Sequence, residues 1–304
     1  MYVGQPKDEL EFREAVELIL ESPGRISCGI EEQVNSLISY TNKLDLTFEH
    51  CLIGKEKGRM LGACLCVDLP GRISNIYVPH VSLYDERMPD VIVRLLLEAV
   101  QLARERDVKF LQGIVQSENE EMAAVYGSAG FQYLAQLIYL KRDLSKQVFL
   151  CRDPYICDWQ TYNTQTHQLF AQVIQGTYQD SLDCHLLSGR RDIEDVLASH
   201  RSIGRFDHRY WMIGMVNGEP IGVILLSFLP EQDSCEVVYI GVLPAWRRQG
   251  YGSALLGLAF EIVRETGTSA LTLTVDAKNT PAQKLYRNFG FRELTRRDVW
   301  IKFV

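Results

Sequence analysis

The sequence predicts an α/β (α+β) chain of two tandem domains, each a mixed, mostly antiparallel twisted sheet flanked by helices. Three observations carry this. At 304 residues the chain is too long for one typical core. Its second half repeats the first at a constant offset of 160 residues, as from Asn119 to Asn279. Within the second copy, helical and strand periodicities follow one another in an order that suits a sheet with helices on it.

The repeat runs without gaps over a long stretch. Gly54 falls on Gly214, Gly62 on Gly222, Pro70 on Pro230, Arg87 on Arg247, and Leu95 and Leu96 on Leu255 and Leu256. Val115, Asn119, Tyr126, Gly130 and Phe131 land on Val275, Asn279, Tyr286, Gly290 and Phe291, chemically different residue types kept at one spacing. The period far exceeds that of solenoid units, so each copy must bury a core of its own. Domains are expected at residues 1–146 and 147–304. The linker is expected near Leu144 to Pro154, after the first copy's last apolar run, Tyr133 to Leu140.

In the second copy, Leu169, Phe170, Val173 and Ile174 mark one helical face, and Ile193, Val196 and Leu197 another. Trp211 to Val216, Ile221 to Phe228 and Glu236 to Val242 read as an antiparallel meander, with turns at Gly218–Glu219 and at Pro230 to Asp233. Ser253 to Glu265 reads as a helix and Ala270 to Val275 as a strand. A further helix starts near Pro281, capped by Thr280. Phe291 onward and Val299 to Phe303 are expected to complete this copy's sheet.

Composition narrows the function. Hydrophobic residues make up 46% and charged residues 23%, with no tract to assign to disorder. The start is acidic, and apolar runs such as Ile221 to Leu229 are too short to cross a bilayer, so a cytoplasmic protein without membrane contact is expected. A net charge of -7 argues against nucleic acid as a partner. Eight cysteines form no CxxC pair, and six histidines form no ligand pattern, so no metal is implied. Cys64 and Cys66 read as small hydrophobes on one strand face. Ser253 follows a glycine but lacks the GxSxG elbow, which sets hydrolase chemistry aside.

The chemistry concentrates in Cys235 to Leu256, where a strand passes through Pro244 into a glycine-bearing turn and a helix. Gly250 and Gly252 remove Cβ atoms that would obstruct a ligand, and the amides from Arg247 to Ser253 lie at a helix start that favours anions. Arg247 and Arg248 can add charge, with Gln249 and Tyr251 in the same turn. No Lys-Ser or Lys-Thr follows the glycines, which argues against a P-loop.

This stretch resembles the GNAT superfamily of N-acetyltransferases through Arg247, Gly250 and Gly252, joined by a second element at Asn279, Ala282, Tyr286, Gly290 and Phe291. The resemblance implies acetyl-CoA as cosubstrate. By it, the backbone around Ile240 and Val242 pairs with pantetheine, the turn from Arg247 to Ser253 holds the pyrophosphate, and Asn279 meets the pantetheine arm. Tyr286 takes the role of general acid towards the CoA thiolate, for which a phenol protonated at neutral pH is suited. Glu236 occupies the position of the glutamate base in histone-type members. A regular strand would put it on one face with Val238 and Ile240. A solvated carboxylate is the competing reading, and Asp183, His185 or a water route are rivals as base. The loop from Gly176 to Arg191 is expected to border the acceptor cleft.

In the first copy Asp90 and Ile92 replace Gly250 and Gly252, Pro89 removes an amide, Ile76 stands for Glu236, and Pro79 interrupts the strand. That copy is expected to be silent towards CoA and to brace the other. The tandem form with a decayed copy resembles mycothiol synthase, which makes a small-molecule amine one acceptor class beside a peptide amine. A non-catalytic acyl-CoA sensor is the alternative, and an aminoacyl-tRNA-dependent ligase conflicts with the acidic balance. A monomer or homodimer is expected.

Overall fold

The computed structural model describes residues 1–20, 48–80, 86–144 and 158–304. These divide into two compact units, one of Met1–Leu134 with Arg297–Val304, the other of Ala135–Arg296. The boundary expected at 146 and 147, and most of the expected linker, lie outside the described residues.

The first unit holds β1 (Tyr2–Gly4), α1 (Glu9–Leu20), β2 (Cys51–Glu56), β3 (Arg59–Leu69), β4 (Ile73–Tyr77), α2 (Met88–Glu105), β5 (Phe110–Gln116) and α3 (Glu120–Ser128). Strands β1 to β4 form an antiparallel meander, and β4 pairs β5 in parallel through the α2 crossover. Alternation along β3 sends Cys64 and Cys66 to the α2 side, with Leu95 and Leu96, and Ala63 and Leu65 to the α1 side. Cys64 and Cys66 thus share a buried face, and the described cysteines are free thiols.

The second unit follows the same plan. The strand β6 (Gln132–Asp143) leads into it, followed by β7 (Asp158–Thr161), α4 (His167–Thr177), α5 (Ile193–Arg201), β8 (Trp211–Val216), β9 (Glu219–Leu229), β10 (Ser234–Val242), α6 (Tyr251–Thr266), β11 (Ala270–Asp276) and α7 (Thr280–Asn288). Its strand order is β6-β11-β10-β9-β8-β7, with β10 and β11 parallel and the other pairs antiparallel. Helices α4 and α5 cover one face with Phe170, Ile174 and Leu197, and α6 covers the other with Leu255, Leu256 and Ala259. The cap of α7 is Asn279, whose Oδ1 accepts the Ala282 amide at 3.2 Å, in place of the expected Thr280.

One expectation is overturned. The final strand β12 (Arg292–Phe303) does not complete the sheet of its own copy. Its last residues pair antiparallel with β5, Val299 opposite Ile114 and Ile301 opposite Gln112. The second copy's sheet is closed instead by β6, with Ile138 opposite Val275 and Leu140 opposite Leu273. Strand periodicity specifies that a strand forms, and the partner is chosen by side-chain fit. Trp300 stacks on Tyr126, with ring centroids 6.3 Å apart, while Ile138 and Leu140 join the core under α6. No helix of the described residues is long and apolar enough to cross a membrane.

Candidate active site

A β-bulge opens the site. Along β10, Val237 pairs with Leu226 and Tyr239 with Leu225, so Val238 is the extra residue, and parallel pairing with β11 ends at Val237. A bulge bends its strand and tightens the local twist. Beyond it β10 parts from β11, and a cleft of about 720 Å³ lies in the gap. This volume is in the range of small-molecule sites.

The bulge also resets the faces. Cys235 and Val237 pack on the α6 side, Val238 and Tyr239 both on the α4 and α5 side, and Ile240 and Val242 on the α6 side again. Glu236 therefore keeps company with Val238 but not with Ile240, contrary to the regular-strand expectation. It does not line the cleft, and half-burial alone pushes its carboxyl above the usual range. Ile240 and Val242 do line it.

At one end stands the start of α6. Arg248 and Gly250 have left-handed backbone, φ 60° and 92°, and Gly250 is the cap residue. The Ser253 amide turns back to the Gly250 carbonyl at 2.9 Å. Among the described residues, the amides of Arg248, Gln249, Gly250 and Gly252 donate to no main-chain carbonyl, which leaves them for an anion. Gly252 deserves a separate reason. A Cβ there would meet Leu285 at 3.4 Å and Val242 at 4.0 Å, ordinary contacts, so the protein's own packing does not demand glycine. Gly252 and Ser253 line the cleft, whereas the Gln249 side chain clips to the Ala245 carbonyl at 2.8 Å and the Tyr251 ring packs on Trp246. Neither of those two lines the cleft.

Arg247 has a different task from the expected one. Its Nε donates to the Val242 carbonyl at 3.0 Å, Nη1 to Asp180 at 3.2 Å, and Nη2 to Thr177 at 2.9 Å and Gln179 at 2.7 Å. The guanidinium thus fastens the loop after α4 to the end of β10, and little of its fork is left for a phosphate. Arg247→Lys, which keeps the charge but not the fork, should lower stability by about 1.5 to 3 kcal/mol. Thermal unfolding followed by circular dichroism checks this.

The fastened loop crosses to α7. Asp183 accepts from Asn279 Nδ2 at 2.8 Å and from the Asp276 amide at 3.2 Å, and the Cys184 amide donates to Asp276 at 3.0 Å. Asn279 therefore spends its carbonyl on the α7 cap and one amide hydrogen on Asp183, which leaves a single donor hydrogen. Asp183 is open to the cleft, whose walls displace much of its water. That desolvation pushes its carboxyl up, partly offset by the two hydrogen bonds. Tyr286 lies on the same wall, 5% exposed, with no hydrogen-bond partner for its hydroxyl among the described residues. Burial first, and then the neighbouring Asp183, push its phenol above the usual range. His185 is exposed and lies off the cleft. The sequence reading missed Tyr239 as a lining residue, because alternation without a bulge keeps it on the face of Val237, on the α6 side.

The first unit carries other residues at the matching positions. Ile92, at the position of Gly252, is fully buried in one core cluster with Val125, which matches Leu285. Strand β4 carries no bulge in its pairing with β3 and ends at Tyr77, before Pro79. Ile92 thus puts a buried side chain at the position where the second unit has the cleft-lining Gly252. Asp90 is exposed at the helix start.

A model of the acetyltransferase (GNAT) family matches residues 174–291. An uncharacterised N-acetyltransferase of Methanocaldococcus jannaschii is 30% identical over 94 residues, which cover 29% of this chain and 42% of that protein. A mycothiol acetyltransferase of Jonesia denitrificans is 26% identical over 218 residues, covering 66% of this chain and 65% of that one. The chain thus spans less than two thirds of either. The crystal structure of a GCN5-related N-acetyltransferase from Sphaerobacter thermophilus superposes with a TM-score of 0.67 at 14% identity, over 99% of this chain and 95% of that one, a likeness of fold. The second copy thus carries the match to the acetyltransferase (GNAT) family, and the first repeats its plan of strands and helices.

Proposed function

We propose that the second copy transfers the acetyl group of acetyl-CoA directly to an amine. The observation that carries this reading is one cleft that joins a glycine-opened helix start to a buried, unpartnered phenol. The residues present fit the cosubstrate. The 248–252 turn offers aligned amides for a diphosphate, and the freed edge of β10 at Ile240 and Val242 offers main-chain groups to an amide-bearing arm. Tyr286 holds a proton at its hydroxyl where sulfur would depart, and that proton goes to the thiolate as the C–S bond breaks. The coenzyme supplies an activated acetyl group when bound. The free thiols among the described cysteines suit a reducing compartment such as the cytoplasm.

With Asp90 and Ile92 in place of the two glycines, the first copy is silent towards the coenzyme. Calorimetry should give one acetyl-CoA per chain, and thiol release should depend on an added amine. The panel includes the amine of the mycothiol precursor, on account of the relative's name. Two coenzymes per chain would refute the silent copy. Tight binding without thiol release from any amine would favour a sensor.

A further inference from the structure

An acyl chain carried by the coenzyme has to end somewhere in the cleft, and the cleft has a direction. From the start of α6 its lining runs through Pro244, Val242, Gly241 and Ile240 to Tyr239, the lining residue of β10 farthest from the glycine turn. One residue further lies the bulge at Val238, and at Val237 the strands β10 and β11 are paired. No residue of β11 lines the cleft. A chain that enters from the helix start along β10 therefore meets Tyr239 where the two strands close.

Tyr239 is held there on three sides. Thr177 donates to the Ile174 carbonyl at 2.6 Å, so the Tyr239 hydroxyl, 2.6 Å from Thr177 Oγ1, is the donor of their shared hydrogen bond. His200 stacks on the ring, with centroids 5.4 Å apart and planes at 28°, and Tyr178 meets it edge-on at 5.6 Å. Thr177 is itself fixed, 3% exposed and with its carbonyl accepting from Arg247 at 2.9 Å. Gly241 shows how closely the phenol lies against its own strand. A Cβ there would stand 2.9 Å from the Tyr239 hydroxyl and 2.8 Å from the Thr177 side chain. The ring has no slack beneath it, and displacing it would break a hydrogen bond and two ring contacts together.

We propose that Tyr239 is the specificity-determining residue for the acyl group, an immobile wall at the inner end of the cleft that limits the donor to a short acyl-CoA. The inference rests on the acetyl-transfer reading, in which sulfur stands at Tyr286 and the atoms beyond it are those that meet Tyr239. The proton of Tyr239 is engaged by Thr177, so this second tyrosine supplies shape to the cleft and no acid.

Calorimetry with acetyl-CoA and butyryl-CoA on the full chain, without an acceptor, reads the wall directly. Two further methylenes must crowd a ring that cannot yield, so butyryl-CoA should bind about tenfold to a hundredfold more weakly than acetyl-CoA. Tyr239→Leu removes the ring but keeps an apolar side chain, and should bring the two affinities within about threefold of each other. Tyr239→Phe keeps the ring with its aromatic contacts and should retain most of the difference. A merely structural loss would weaken both ligands alike and leave their ratio unmoved. Equal affinities in the wild-type chain, or an unchanged ratio in Tyr239→Leu, would overturn the wall. The wild-type comparison stands even if Tyr239→Leu folds poorly. Binding of both donors alike refutes the wall alone, whereas binding of neither refutes the coenzyme reading and the wall with it.

Discussion

Gly252→Ala should make the protein more stable and a worse binder of acetyl-CoA. Gly252 sits in the first turn of α6 with ordinary helical backbone, so alanine there loses less conformational entropy on folding, a gain of about 0.4 to 1 kcal/mol. The added methyl meets Leu285 and Val242 only at ordinary contact distance. It projects into the cleft where a diphosphate must come close to the amides. Crowding a tight contact costs about 1 to 3 kcal/mol, a loss of about tenfold to a hundredfold in affinity. Calorimetry and thermal unfolding on one sample test both halves. Gly250→Ala provides the contrast. Its φ of 92° is costly for any side chain, so that variant should lose stability along with affinity. If Gly252→Ala binds coenzyme as well as the parent, the glycine has no ligand to accommodate and the diphosphate is held elsewhere.

How much of this was legible in the sequence depends on whether local pattern or partner choice decided it. The meander β8–β9–β10, the helix after the glycine turn and the buried face of Cys64 and Cys66 follow from periodicity, which local sterics enforce. Gly250 and Gly252 stand where the motif puts them, because backbone conformation and close approach are written in the absence of a side chain. The exchange of β6 and β12 was not legible. Both have the alternation of half-buried strands, and the choice turns on whether Trp300 or Ile138 better fills a given core. The bulge at Val238 was equally silent, since no glycine or proline marks it. It is what moves Glu236 out of register with Ile240 and brings Tyr239 to the cleft. Arg247 was read as a phosphate ligand because its residue type suits one. Only the path of the loop after α4 reveals four carbonyls already waiting for it.

Tyr286→Phe should lower kcat by about a hundredfold to ten thousandfold while leaving coenzyme affinity within about twofold. Neither effect need come with unfolding. The hydroxyl has no partner among the described residues, so its removal strands no buried donor or acceptor, and the ring keeps its edge contact with Phe291 at 5.8 Å. The pH dependence adds a second check. Burial and the nearby Asp183 both disfavour the phenolate, so the phenol's pKa lies above its ordinary value and the proton stays in place through neutral and mildly alkaline pH. An acid that remains loaded cannot produce an alkaline fall in kcat below about pH 10, and any fall seen there must come from another group. The chain carries its own control. Tyr126 occupies the same register in the first copy, fully buried, edge-on to Phe131 at 5.2 Å, as Tyr286 is to Phe291. Tyr126→Phe removes the same atom from the same fold position, in the core cluster that holds Ile92. It should leave kcat unchanged. Equal losses from the two variants would mean that the hydroxyl serves packing in both copies and that the departing thiolate takes its proton from elsewhere.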